Sequence, residues 1–175
     1  MAVTRRRGKL RTVLVAVAGV TVLVLLWFLF QPATTHARGL PDVTLERLSG
    51  GTVLLAEATG QPVVVNLWAT WCPPCRRELP MMSSAARGNP QVQFYFADQG
   101  EDRATVQAYL DERPELVLEH VLLDEASELS NSFEAMGLPV TLFFDANGNH
   151  VLTHVGEVSE IEMLNYLTDL KRGTL

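Results

Sequence analysis

Apolar residues fall in runs of very different length along the chain. The longest, TVLVAVAGVTVLVLLWFLF from Thr12 to Phe30, has 19 residues and no charge. As a helix it would extend roughly 28 Å, close to the hydrocarbon thickness of a bilayer. It predicts one transmembrane helix near the N-terminus. The remaining runs are short. PVVVNLW (Pro62 to Trp68) is β-branched and nearly continuous, the pattern of a strand buried on both faces of a sheet, and VQFYFA (Val92 to Ala97) reads as another. DVTLERLSGGTVLLAE predicts two short strands around a turn at Gly50 and Gly51, an opening hairpin. A short strand is expected near Glu119 to Leu123. VTLFF (Val140 to Phe144) and HVLTHV (His150 to Val155) flank DANGN, whose Asn147-Gly148 pair makes them antiparallel neighbours.

Between these strands the period changes to that of helices. Composition turns helical from Pro73 to about Arg87. Val106, Tyr109 and Leu110 follow Asp102, a candidate cap, at helical spacing, and Pro114 stops that segment. ASELSNSFEAMG sets Leu129, Phe133 and Met136 on one face and ends at Gly137. Ser159 and Glu162 stand in capping-box spacing ahead of a stripe of Ile161, Leu164, Leu167 and Leu170. Strands linked by helices, then a hairpin and a helix, predict an α/β fold with a mixed sheet.

Charge divides the 175 residues into segments. Residues 1–11 hold Arg5, Arg6, Arg7, Lys9 and Arg11 and no acid, and after Phe30 nine basic residues face 20 acidic ones, a formal charge of −11. So acidic a body is a poor surface for nucleic acid. The basic flank predicts that residues 1–11 stay in the cytoplasm, that 12–30 anchor the chain in one pass, and that the rest is exported. A cleaved signal peptide is the competing reading, with small residues at Thr34 to Ala37 as its cleavage site. In either case the folded part lies outside the cytoplasm. Residues 31–41, QPATTHARGLP, read as a polar linker, which leaves 42–175 as one domain.

Cys72 and Cys75 are the only cysteines. A disulfide between residues three apart closes so small a loop that it stabilises by only roughly 2 kcal/mol. Structural zinc needs four ligands, and His36, His120, His150 and His154 lack finger or ribbon spacing. Met81 and Met82 read as core packing rather than soft-metal ligands, and His150 and His154 as two residues on one solvated strand face. A redox pair has a mechanism in the residue order. Cys72 falls where a buried strand gives way, through a short turn, to a helix N-terminus, whose free N–H groups and dipole favour a thiolate. Pro73 and Pro74 suit the first turn, where a missing N–H costs little. Cys75, one turn on, is shielded and acts second. No further cofactor or metal is called for.

WCPPC preceded by VVVNLWAT, Pro80 five residues after Cys75, GLPVTLFF and Gly156 together resemble the thioredoxin superfamily. The N-terminal span and the extra segment between VQFYFA and GLP are similar to TlpA-like, membrane-anchored thiol-disulfide reductases of the bacterial envelope. The resemblance implies a thioredoxin fold with an N-terminal hairpin and a central insertion, and roles for particular residues. Pro139 matches the cis-proline set against the two cysteines, and Pro139, Leu138 and Trp71 would border the substrate. Trp68 belongs to the core. Pro80 should bend its helix. Asn66 stands where plain thioredoxins have a buried aspartate, and an amide is no general base. Glu78, three residues after Cys75, matches an acidic residue of TlpA-like reductases and becomes the candidate proton-transfer group; a solvated helix carboxylate is the alternative. The implied activity is reduction of disulfides in envelope proteins, with a membrane thiol transporter as electron donor and clients that include apocytochrome c cysteines. Direction is not fixed by CPPC. An oxidase or isomerase, or a copper-binding assembly protein using Cys72, Cys75 and a histidine, are the rivals, whereas peroxidase chemistry needs a different threonine and cysteine arrangement.

Overall fold

In the computed structural model the described residues are 39–175, all within one unit, Ala37–Leu175. The expected Thr12–Phe30 span lies outside them. Among the described residues no helix is long and apolar enough to cross a membrane.

Seven strands form a single sheet: β1 (Thr44–Arg47), β2 (Thr52–Leu54), β3 (Val63–Trp68), β4 (Gln93–Gln99), β5 (Val121–Asp124), β6 (Val140–Phe144) and β7 (His150–Val155). Their order is β2-β1-β5-β4-β3-β6-β7. β3/β4 and β4/β5 run parallel and every other pair antiparallel. The sheet is therefore mixed, as the alternation of elements required. β3 and β6 are buried along their whole length, which is why their sequences are apolar except at Asn66 and Thr141 rather than alternating.

Among the described residues there are also four α-helices, α1 (Pro73–Gly88), α2 (Arg103–Asp111), α3 (Glu128–Ser132) and α4 (Glu160–Arg172), and a 3-10 turn at Leu55–Glu57. Successive β3 residues point to opposite faces. Val64 and Trp68 join Leu79 of α1, Val106 of α2 and Met163 of α4 in one core, while Val63, Val65 and Leu67 join Leu129 of α3 in the other. Asn66 shares the parity of Val64 and Trp68, so it lies on the α1 face.

Several expectations need correction. Gly39 and Leu40, assigned to the linker, already belong to the domain: Gly39 bridges Asn149, and the Leu40 N–H donates to the Gly148 carbonyl at 2.8 Å. The third helix stops at Ser132 rather than near Gly137. Glu134 adopts φ 55°, with the Ala135 N–H bonded to Ser130 O and the Glu134 N–H to Asn131 O. This is a Schellman closure with glutamate where glycine is usual, and it leaves Met136 fully exposed while Leu129 is buried. In α4 the capping box forms as expected. The buried row, however, is Met163, Leu167 and Leu170, whereas Ile161 and Leu164 are 73% and 64% exposed. Met163 displaces them because 163, 167 and 170 lie within about 60° of one another around the helix. Finally, a register shift between Phe143 and Phe144 places His150 opposite Phe144 and His154 opposite Thr141. The extra residue turns the two histidines to opposite faces: His150 packs on Phe133 and Phe144, and His154 on Tyr166.

Candidate active site

The buried strand β3 ends at Trp68, and the chain turns through Ala69, Thr70 and Trp71 before α1 starts. Cys72 is the residue that caps α1. Its sulfur accepts the Cys75 backbone N–H at 3.3 Å, and Pro73 and Pro74 occupy the first turn. Cys72 and Cys75 are joined, S–S 2.03 Å and Cα–Cα 5.3 Å. Both are buried, and Trp71 beside them is 65% exposed. The Cys72 sulfur at this position receives the Cys75 N–H and sits at the positive end of the helix dipole, the setting that favours a thiolate once the bond is reduced.

At the same end of the sheet, the Leu138–Pro139 bond is cis. The Pro139 carbonyl accepts from Gly156 N–H at 2.9 Å, and β6 starts at the next residue beside Leu67 of β3. Leu138 is half-buried against both cores. Pro80 sits inside α1, which continues beyond it to Gly88. Met82 is fully buried and Met81 packs against the same core. Trp68 is fully buried too, its ring 5.7 Å from that of Tyr109.

Glu78 is 2% exposed, which removes the solvated alternative. One carboxyl oxygen accepts from Asn66 Nδ2 at 2.9 Å and the other from the Val158 backbone N–H at 2.9 Å. Asn66 Nδ2 also donates to Thr141 Oγ1 at 3.1 Å. Burial pushes the Glu78 pKa up from the ordinary 4.5 to about 6, the two hydrogen bonds restrain the rise, and nearby Glu157 adds to it. Asn66 is thus a donor that orients Glu78 rather than a base itself. The turn over Glu78 is tied down from outside by Arg77, whose guanidinium forks onto the Glu157 carboxylate.

Two further features of the site were missed in the sequence. Glu101 accepts both the backbone N–H and the hydroxyl of Thr70, each at 2.6 Å, so an acid after β4 holds the turn that leads to Cys72. Asp98, at the end of β4, is fully buried. An aspartate inside the apolar run FYFADQ was the available signal for the second; nothing local marked the first. Among the described residues no three His, Cys, Asp or Glu side chains are grouped so as to hold a metal ion.

A disulfide between two cysteines three residues apart at a helix N-terminus, on a mixed sheet with a cis-proline facing the same end, defines a thiol-disulfide oxidoreductase of thioredoxin-like fold. Residues 37–151 match the AhpC/TSA family, and the chain belongs to it. It is 30% identical over 162 residues to the thioredoxin-like protein YneN of Bacillus subtilis, covering 83% of this chain and 92% of that one. It is 25% identical over 175 residues to the thiol-disulfide oxidoreductase ResA of the same organism, covering 97% and 96%. Among solved structures, a secreted Mycobacterium tuberculosis disulfide oxidoreductase homologous to Escherichia coli DsbE superposes with a TM-score of 0.64 at 26% identity, covering 74% of this chain and 96% of that one. The chain acts by disulfide exchange on partner proteins, like the relatives so named.

Proposed function

We propose that the chain works mainly as a reductase of disulfides in envelope proteins, anchored in the cytoplasmic membrane by residues 12–30 with residues 1–11 inside and the domain facing the periplasm or extracytoplasmic space. The observation that carries the chemistry is the buried Glu78 one helical turn beyond a Cys72–Cys75 pair whose first sulfur caps α1. In the forward cycle the Cys72 thiolate attacks one sulfur of a partner disulfide, forming a mixed disulfide and releasing a partner thiolate. Glu78, ionised at neutral pH, takes the Cys75 proton. The Cys75 thiolate then attacks Cys72, the second partner thiolate leaves, and the pair is oxidised by two electrons. Trp71, Leu138 and Pro139 border the incoming chain.

Direction rests on location. An oxidising envelope does not keep such a pair reduced, so electrons must be supplied across the membrane; the resemblance to TlpA-like reductases supplies the class of donor, a membrane thiol transporter. The test expresses full-length Cys75→Ser and Cys72→Ser chains in the native host, alongside a measurement of the wild-type potential against glutathione. Cys75→Ser should accumulate mixed disulfides through Cys72 and Cys72→Ser should not, with a potential more reducing than that of strong oxidants. A strongly oxidising potential would overturn the reductase reading, and absence of any trapped partner would overturn the assigned order of attack.

A further inference from the structure

One buried acid has no part in the exchange cycle. Asp98 lies opposite Trp68 in the β3/β4 register, on the face that packs against α1 and α2. It is 0% exposed, and neither of its oxygens has a hydrogen-bond partner of good geometry among the described residues, the Glu101 backbone N–H being the one donor near it. A carboxylate in that position has lost water and gained little beyond the pull of that N–H, a state costlier than the neutral acid. Three residues on, Glu101 already spends both oxygens on Thr70, two residues before Cys72. As two carboxylates, Asp98 and Glu101 could only accept and repel. Asp124 of β5 pairs with Gln99 and so lies on the opposite face of the sheet; it adds only a weaker repulsion, its own oxygens occupied by Gln99 Nε2 and the backbone N–H groups of Glu128 and Leu129.

We infer that Asp98 is a positioning residue that keeps its proton at neutral pH and donates it to Glu101, so that Glu101 can hold Thr70 and with it the turn presenting Cys72. The proposal rests on the reading of Cys72–Cys75 as the exchange site. Burial first, then the Glu101 carboxylate and Asp124, push the Asp98 pKa from 3.8 up to about 8; the Glu101 backbone N–H pulls the other way and is outweighed. Below that pH the proton is present and the turn is held. Above it the shared hydrogen bond becomes a repulsion, and the grip on Thr70 weakens.

Asp98→Asn offers Glu101 an N–H donor in place of the O–H and has nothing to lose to base; Asp98→Leu offers none. With the oxidised full-length chain in detergent micelles, the Thr70 backbone amide resonance should titrate near pH 8 in wild type and stay constant in Asp98→Asn from pH 6 to 10. The rate of reduction by dithiothreitol, taken as the ratio of Asp98→Asn to wild type so that the reagent's ionisation cancels, should be flat below pH 7 and depart from that value by about threefold by pH 9, the worth of one hydrogen bond. A wild-type Thr70 amide that does not titrate, or that titrates alike in Asp98→Asn, overturns the proposal. A disulfide that dithiothreitol fails to reduce at any pH would count against the exchange reading instead, and the Thr70 resonance would still decide the role of Asp98. If Asp98→Leu does not fold, the asparagine variant carries both readouts.

Discussion

Glu78 shows how one side chain changes meaning with its surroundings. Three residues after Cys75, next to two arginines, its sequence position suits a solvated helix carboxylate as well as a proton carrier. Burial at 2% exposure and two donors at 2.9 Å remove the solvated alternative. A measurable consequence follows from its raised pKa. Between about 4.5 and about 6 the native chain holds a proton that the unfolded chain has released, so native stability falls as pH rises through that window and is level above it. Glu78→Gln cannot titrate. Its stability relative to wild type, from urea midpoints, should improve by about 2 kcal/mol between pH 4 and pH 7, whatever its absolute value at either end. A difference independent of pH would mean that Glu78 is not desolvated. Exchange with disulfide substrates should slow in the same variant, since the amide cannot take the Cys75 proton.

At the scale of elements, the strands were more legible than the helix faces. β3 and β6 are buried on both sides, and a continuous β-branched or aromatic run has few other uses. Helix α4 exposes the weakness of periodicity: two overlapping apolar stripes run along it, and only the docking of α4 beside α1 selects one. Met163→Ala and Leu167→Ala should each cost about 2–5 kcal/mol, because each opens a cavity in the core. Ile161→Ala and Leu164→Ala should stay within about 0.5 kcal/mol. Equal losses at all four positions would show that the helix packs with a different face. The end of α3 was hidden for another reason. Glycine is the usual signal for a left-handed closing residue, and here Glu134 adopts that conformation three residues before Gly137.

On the scale of the whole molecule, the disulfide is a reactive group mounted on a fold that does not depend on it. Its loop is among the shortest possible, and the core on that face is built from β3, α1, α2 and α4. Replacing both Cys72 and Cys75 by serine should therefore abolish exchange yet lower stability by no more than about 2 kcal/mol, with cooperative unfolding retained in a denaturant titration. Loss of the folded state in that variant would make the pair a staple after all.

The amino-acid order alone determined the strand and helix succession, the mixed sheet, the capping of α4, and the placing of two cysteines and two prolines at a helix start. These follow from local propensity and from spacing within a few residues, which the sequence states directly. Only the tertiary structure decided what surrounds the reactive pair. Asn66 meets Glu78 and Thr141 across three elements, Val158 reaches Glu78 from 80 residues away, and Glu101 grips Thr70 from 31 away. The protonation of Asp98 belongs with these. Desolvation and hydrogen-bond partners depend on which distant segments close over a group, and that is fixed when the sheet and its helices pack.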